Sequence, residues 1–275
     1  MSDSYAIRPK LLVMGDALRD IYMHGSWSPR NGALRFKPED ILEFDGGAAN
    51  TLANARAILG DKAEVIGWTN KEPLRLYRFI DQEVRESYVQ IATDSCLSLP
   101  KVWGQTFLDG IIISDYNKGT VNKPMPHLVP VSPWVIVDSR YRSLHTDMLN
   151  LGSTRIWRCT GDEFDGDWAL NFNYTLRTDG ANTIHLMKND EGKLKLVARW
   201  NIPQIPVVDT CGAGDTFTAM LGAWLIMHPR IADPYMADNK LTEFDWKIIK
   251  AVPSCIAAAQ EVCMKKYTAI TTERL

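Results

Sequence analysis

The stretch Pro206-Val207-Val208-Asp209-Thr210-Cys211-Gly212-Ala213-Gly214-Asp215 runs without a break into Thr216-Phe217-Thr218-Ala219-Met220-Leu221-Gly222-Ala223-Trp224-Leu225. An apolar run, a glycine-rich turn and a helix-compatible run, in that order, predict a strand, a tight turn and a helix N-terminus. Gly212 and Gly214 permit unusual backbone angles, so successive N–H groups converge where the helix dipole favours negative charge. A phosphate suits that place. Asp215 beside a phosphate needs a separate task, and taking the proton of an attacking hydroxyl supplies one. Phosphoryl transfer follows as a mechanism, with Asp215 as general base and the Gly212, Ala213 and Gly214 amides holding the growing charge. The competing reading is a helix-capping Asp behind a glycine turn, and for a bare Gly-x-Gly-Asp it is the commoner one.

Around this segment, short apolar runs end in polar residues: Leu11-Leu12-Val13-Met14 before Gly15-Asp16, Ile111-Ile112-Ile113 before Ser114-Asp115, and Val135-Ile136-Val137 before Asp138. Each reads as a buried strand. Helical patterns cover Ala48–Leu59 with Gly60 as its stop, Ala213–Met227 before Pro229, and Phe244–Lys266 with Pro253 inside it. Alternating strands and helices predict an α/β fold whose mainly parallel sheet is covered on both faces, with ligands beyond the carboxyl ends of the strands. Ile21–Asp45, with a turn at Ser28-Pro29-Arg30-Asn31-Gly32, reads as a small β flap that Arg75–Asp81 joins. Farther on, Tyr174–Arg177, Thr183–Lys188 and Lys193–Trp200 read as strands, with a turn at Asn189-Asp190-Glu191-Gly192.

The chain has 275 residues, 45% of them hydrophobic, enough for one large domain. A formal charge of −2 gives no footprint for nucleic acid or an anionic membrane, which leaves small ligands as the expected partners. Five cysteines (Cys96, Cys159, Cys211, Cys255, Cys263) without zinc-like spacing, and no apolar run of membrane length, predict a reduced, cytoplasmic protein. Cys211, next to the glycine turn, reads as a packing residue rather than a reactive thiolate. The histidines show no metal spacing, and Trp27, Trp68 and Trp103 read as core or interface. Asp45-Gly46-Gly47-Ala48-Ala49-Asn50 opens an Ala-rich helix. There the glycines let backbone approach a ligand and Asn50 offers donors and acceptors to hydroxyls, although an N-capped, Ala-packed helix explains the same residues equally well.

Taken at full length, Asp209–Asp215 closely resembles the signature of the ribokinase-like (phosphofructokinase-B) sugar kinases, which share an Asp-Thr-x-Gly-Ala-Gly-Asp element. Gly46-Gly47-Ala48-Ala49-Asn50 is similar to a second family element at the sugar site. With Gly15-Asp16-Ala17-Leu18-Arg19-Asp20-Ile21-Tyr22 and Ser114-Asp115-Tyr116-Asn117-Lys118-Gly119, it resembles the heptose 7-phosphate kinase branch.

The resemblance implies a three-layer ribokinase-like fold, a single kinase domain over residues 1–275, with 21–45 and about 74–82 as a β lid through which relatives pair as homodimers. It implies ATP as phosphoryl donor, Asp215 as catalytic base and Gly212, Ala213 and Gly214 as anion hole. Asp16, Asp20, Gly46, Gly47 and Asn50 then hold sugar, though Asp16 and Asp20 taken singly read as strand-end caps. Arg75, Arg78 and Lys118 are the cations to test against a substrate phosphate, Arg78 first, and any one of them is more often a solvated charge. The nucleotide-side residues are Thr210, Arg177, Gly180 and Lys188. Mg²⁺ is implied at Glu163 and Asp162, and a monovalent cation near Asp209.

Three departures stand out. Thr160-Gly161-Asp162-Glu163 replaces the branch's Asn-x-x-Glu, Arg177 stands where the family has Gly, and no room remains between Gly67-Trp68-Thr69 and Arg75 for a helix and strand that relatives carry. The readings that follow are a heptose 7-phosphate 1-kinase-like enzyme, a kinase for another sugar or nucleoside, and a degenerate kinase fold kept as a binding module.

Overall fold

A computed structural model of the chain describes residues 8–30, 33–70, 72–81, 91–92, 107–122, 131–142, 144–230 and 241–275. Cys96, Trp103, His127 and the Asn31-Gly32 part of the expected turn lie outside them. In order the chain forms β1 (Lys10–Gly15), β2 (Ala17–Arg30), β3 (Ala33–Gly47), α1 (Ala48–Leu59), β4 (Glu64–Thr69), β5 (Leu74–Asp81), β6 (Ile91–Ala92), β7 (Gly110–Asp115), β8 (Ser132–Ser139), α2 (Thr146–Leu149), β9 (Gly152–Thr160), α3 (Gly166–Ala169), β10 (Tyr174–Asp179), β11 (Thr183–Asp190), β12 (Lys193–Asn201), α4 (Ala213–Met227) and α5 (Glu243–Cys263).

Along β1 successive side chains point to opposite faces of the sheet, and both faces are covered. Leu11 and Val13 enter one core with Ile112, Ile136 and Ile156, where α4 and α5 also bury their apolar residues. Leu12 and Met14 enter the other, with Ile111, Val135 and Trp157, against Met148, Leu149 and Phe172. Burial on both sides explains why these strands read as unbroken apolar runs. The main sheet has the order β12-β11-β10-β9-β8-β7-β1-β4, parallel from β10 to β4 and antiparallel at β11 and β12. Strands β11 and β12 meet at the expected turn, where Glu191 (φ 51°) and Gly192 (φ 80°) both take the positive angles of a two-residue hairpin loop.

A second sheet, in the order β3-β2-β5-β6, holds the flap residues. Its hairpin pairs from Ala17 with Gly47 to Arg30 with Ala33, so it reaches closer to the main sheet than the Ile21–Asp45 reading allowed. Strand β5 runs parallel to β2 and sets Arg78 beside Tyr22. The short link between β4 and β5 is held by buried Asn70, whose Oδ1 accepts the Ala17 N–H at 2.7 Å while its Nδ2 donates to the Ala17 carbonyl at 3.0 Å.

Helix α4 spans the expected residues, and it is buried from Asp215 to Ile226. Helix α5 begins one residue early, on a reciprocal cap between Thr242 and Asp245, and ends three residues early. The strand expected at Pro206–Val208 is corrected. Val207 and Val208 are half exposed, and the N–H groups of Val208 and Asp209 go to the Cys263 carbonyl at the end of α5 rather than to a neighbouring strand. Pro203 and Pro206 have no N–H to give a ladder. Among the described residues no helix is long and apolar enough to cross a membrane.

Candidate active site

Gly212 is the N-cap of α4 in a left-handed conformation (φ 80°), and a Cβ on it would stand 2.7 Å from Asn50 Nδ2. Angle and space both call for glycine. The first-turn amides of α4 have no carbonyl one turn back inside the helix, which leaves donors for an anion. Ala213 N–H leans on the Thr210 carbonyl at 3.3 Å. Asp215 follows in the same turn, buried, and its carboxylate accepts from Asn50 Nδ2 (3.0 Å), the Tyr116 hydroxyl (2.9 Å) and the Thr51 hydroxyl (3.4 Å). Burial pushes its carboxyl up to about 7 and Asp138 adds repulsion, while Asn50, Tyr116 and the Arg158 charge pull the other way. A carboxylate that titrates near neutrality beside anion donors is suited to accept a proton from a hydroxyl.

Under this turn lies Arg158, which the sequence reading did not single out. It interrupts the buried run Ile156-Trp157-Arg158-Cys159 in β9, and a lone cation in such a run was the signal available. Its Nη1 donates to Asp138 Oδ1 at 3.2 Å, and Asp138 Oδ2 accepts the Thr218 hydroxyl at 2.7 Å. The guanidinium comes close to Gly214 by its Nη1/Nη2 end, where a Cβ would stand 2.7 Å from Nη1, 2.9 Å from Nη2 and 3.0 Å from Cζ. Burial works against the Arg158 charge, but Asp138 and Glu163 hold the group protonated above its ordinary value.

The turn opens on a cavity of about 530 Å³, within the range of small-ligand sites. Its lining includes the polar Arg140, Arg158, Tyr116 and Asp215 with the Gly212–Gly214 turn, and the apolar Ile184, Ile202, Ile256 and Ala259. Thr210 and Gly180 line it as well. Arg177 and Lys188, expected beside the nucleotide, are not among the cavity's lining residues. Arg177 pairs with Asp179 at 3.0 Å, and Lys188 with Asp245 at 2.9 Å, the acid that caps α5. Burial pushes the Cys211 thiol up to about 11, in keeping with a packing role.

On the other side of Asp215 the expected sugar residues come together but are bonded to one another. Asp16 is fully buried, and its carboxylate accepts the N–H groups of Tyr116 (2.9 Å), Lys118 (2.9 Å) and Thr120 (3.1 Å). It fastens the loop after β7, a structural task beside the sugar-binding one expected of it. Asp20 Oδ1 accepts from Arg78 Nε and Nη2, both at 3.0 Å, and Oδ2 from the Thr268 hydroxyl at 3.2 Å. Arg78, expected against a substrate phosphate, therefore neutralises Asp20. Asn50 bridges Asp215 and Asn54, Gly46 packs on the Asp20 carboxylate, and Gly47 (φ 57°) is the N-cap of α1.

No protein-family model matches the sequence, and no curated protein matches it. Solved structures do match, over nearly the whole chain. The Methanocaldococcus jannaschii nucleoside kinase, an archaeal member of the ribokinase family, is 12% identical over 98% of this chain and 96% of its own, with a TM-score of 0.61. Thermotoga maritima ribokinase is 12% identical over 97% of each chain, also at 0.61. Arabidopsis thaliana ribokinase, complexed with ribose and ATP, is 16% identical over 97% of each, at 0.58. The fold is ribokinase-like.

On this ribokinase-like frame Glu163 and Asp162, where Mg²⁺ is expected to be held through water, are not set as a pair of direct metal ligands. Glu163 Oε2 accepts the Thr160 N–H at 2.8 Å in a reciprocal cap, its Oε1 lies 3.5 Å from Arg140 Nε, and Asp162 is exposed. Among the described residues no three His, Cys, Asp or Glu side chains are grouped to hold a metal. Asp209, expected near a monovalent cation, accepts N–H groups on both oxygens, from Cys211 (2.9 Å) and Tyr267 (3.0 Å), and so ties the turn to the tail beyond α5.

Proposed function

We propose that the chain transfers the γ-phosphoryl group of ATP to a hydroxyl of a sugar or sugar phosphate. The observation that carries this reading is the placement of Asp215, buried, titrating near 7, one turn into a helix whose N-terminal amides open on the cavity. Asp215 takes the acceptor's proton as the new P–O bond forms, and the bond from phosphorus to the bridging oxygen breaks, with ADP leaving on its electron pair. The Gly212 and Gly214 amides offset charge on the transferred oxygens. Asn50 and Tyr116 hold the carboxylate in line. ATP and ribose bound to Arabidopsis thaliana ribokinase support both substrate classes.

A heptose 7-phosphate, phosphorylated at its 1-hydroxyl, is the sharpest acceptor, supported by the motif likeness at Gly15–Tyr22 and Ser114–Gly119. One observation favours a second reading, an unphosphorylated sugar or a nucleoside: Arg78, the cation aligned with the phosphate end, is committed to Asp20.

The test is ADP release from ATP across heptose 7-phosphate, free sugars and nucleosides, with Asp215→Asn alongside. Turnover on any of them, lost in the variant, supports the reading, and the panel ranks the acceptors. Equal turnover by both proteins removes Asp215 as base. ATP binding with no turnover supports a binding module instead.

A further inference from the structure

We propose that Arg158 is a catalytic residue of this site, a fixed cation that touches the transferred phosphoryl group where, among the described residues, no three His, Cys, Asp or Glu side chains are grouped to hold a metal; this role rests on the phosphoryl-transfer reading above. Three observations carry it. Arg158 lines the same cavity as Gly212–Asp215, and its Nη1/Nη2 end stands against Gly214, within the anion turn. Asp138 accepts from Nη1, and Nε–H is buried without a partner among the described residues, an unsatisfied donor of the kind that native structures keep at functional positions. The charge around the turn also requires a cation. Asp215 and Asp138 both face it, Glu163 is engaged with Thr160 and Arg140, and the Arg140 side chain is 66% exposed.

A guanidinium suits that position because its planar fork matches two phosphate oxygens at once and it stays charged when buried. Its pairing with Asp138, itself held by Thr218, fixes the fork before any ligand arrives. Arg158 makes and breaks no covalent bond. Its charge offsets that on the phosphoryl oxygens while the acceptor's P–O bond forms and the bond to ADP breaks.

The role is separable from a merely structural one by equilibrium binding of ATP and of adenosine to wild type, Arg158→Lys, Arg158→Met and the neutral pair Asp138→Asn/Arg158→Met. The neutral pair removes both charges together and guards against a single variant that fails to fold. The expected result is a loss of about ten- to a hundredfold in ATP affinity for Arg158→Met and for the neutral pair, with Arg158→Lys between them and wild type. Adenosine affinity should change by less than about twofold, because it lacks the phosphates that Arg158 touches. Parallel losses for ATP and adenosine, or wild-type ATP affinity in the neutral pair, would make Arg158 only a strut between β8 and β9. If wild type binds no ATP, the nucleotide reading itself fails and the role falls with it, a result distinct from variants that match an ATP-binding wild type.

Discussion

Tyr116 donates its hydroxyl hydrogen to Asp215 Oδ1 across 2.9 Å, and Asp16, by accepting the backbone N–H of the same tyrosine, holds it there. This bond favours the ionised form of Asp215. Tyr116→Phe should therefore raise the Asp215 pKa further and move the acid limb of kcat/KM to higher pH. Activity at pH near 7 should fall severalfold and recover in more alkaline buffer. Paired pH profiles of wild type and variant measure it, and an unmoved limb would uncouple Tyr116 from the base.

Asp215 should also make the fold less stable as pH rises. Its carboxyl titrates near 7 in the folded protein against an ordinary 3.8, so the folded state keeps a proton that the unfolded chain releases. Stability therefore declines between about pH 4 and 7, the reverse of the usual salt-bridged carboxylate. Asp215→Asn lacks this effect, and its stability advantage over wild type should grow by on the order of 2 kcal/mol between pH 5 and 8. Thermal melts at both pH values measure it. A pH-independent difference would show that Asp215 titrates at its ordinary value.

Arg78→Ala leaves Asp20, whose side chain is only 6% exposed, without its cation. The expected cost is about 3 kcal/mol in denaturant unfolding, most of it recovered in Asp20→Asn/Arg78→Met, where no buried charge remains. Unchanged stability, joined to a raised KM for phosphorylated acceptors alone, would return Arg78 to the substrate.

Gly214→Ala sets two effects against each other. Alanine should favour the helix by up to about 1 kcal/mol. Its Cβ would also stand 2.7 Å from Arg158 Nη1, and Asp138 holds that guanidinium in place. Thermal stability should stay near wild type while ATP affinity drops about tenfold, because the anion turn and its cation no longer fit together. Calorimetry on one preparation reads both, and intact ATP affinity would separate the turn from Arg158.

The elements nearest the site were legible because their signals are local. Gly212 marks the left-handed cap of α4, the helix spans the expected Ala213–Met227, and the runs at Leu11, Ile111 and Val135 are buried strands. Pro206–Val208 carries the same apolar signature, yet it pairs with no strand among the described residues, and an apolar run cannot report whether a neighbour is present. Asp16, Asp20 and Arg78 were singled out only through the family resemblance, and their bonding partners were not legible in the sequence. Their partners lie far along the chain: Asp16 reaches Tyr116, and Asp20 reaches Arg78 and Thr268.

The sequence by itself determined the parallel α/β pattern and the glycine turn that presents Asp215, since backbone angles and side-chain period depend on residues a few positions apart. Only the tertiary structure decided that Asp16 binds backbone, that Arg78 neutralises Asp20 and that Arg158 lies under Gly214. Those roles depend on which charges become neighbours once water is excluded, and burial then makes each buried charge find a partner.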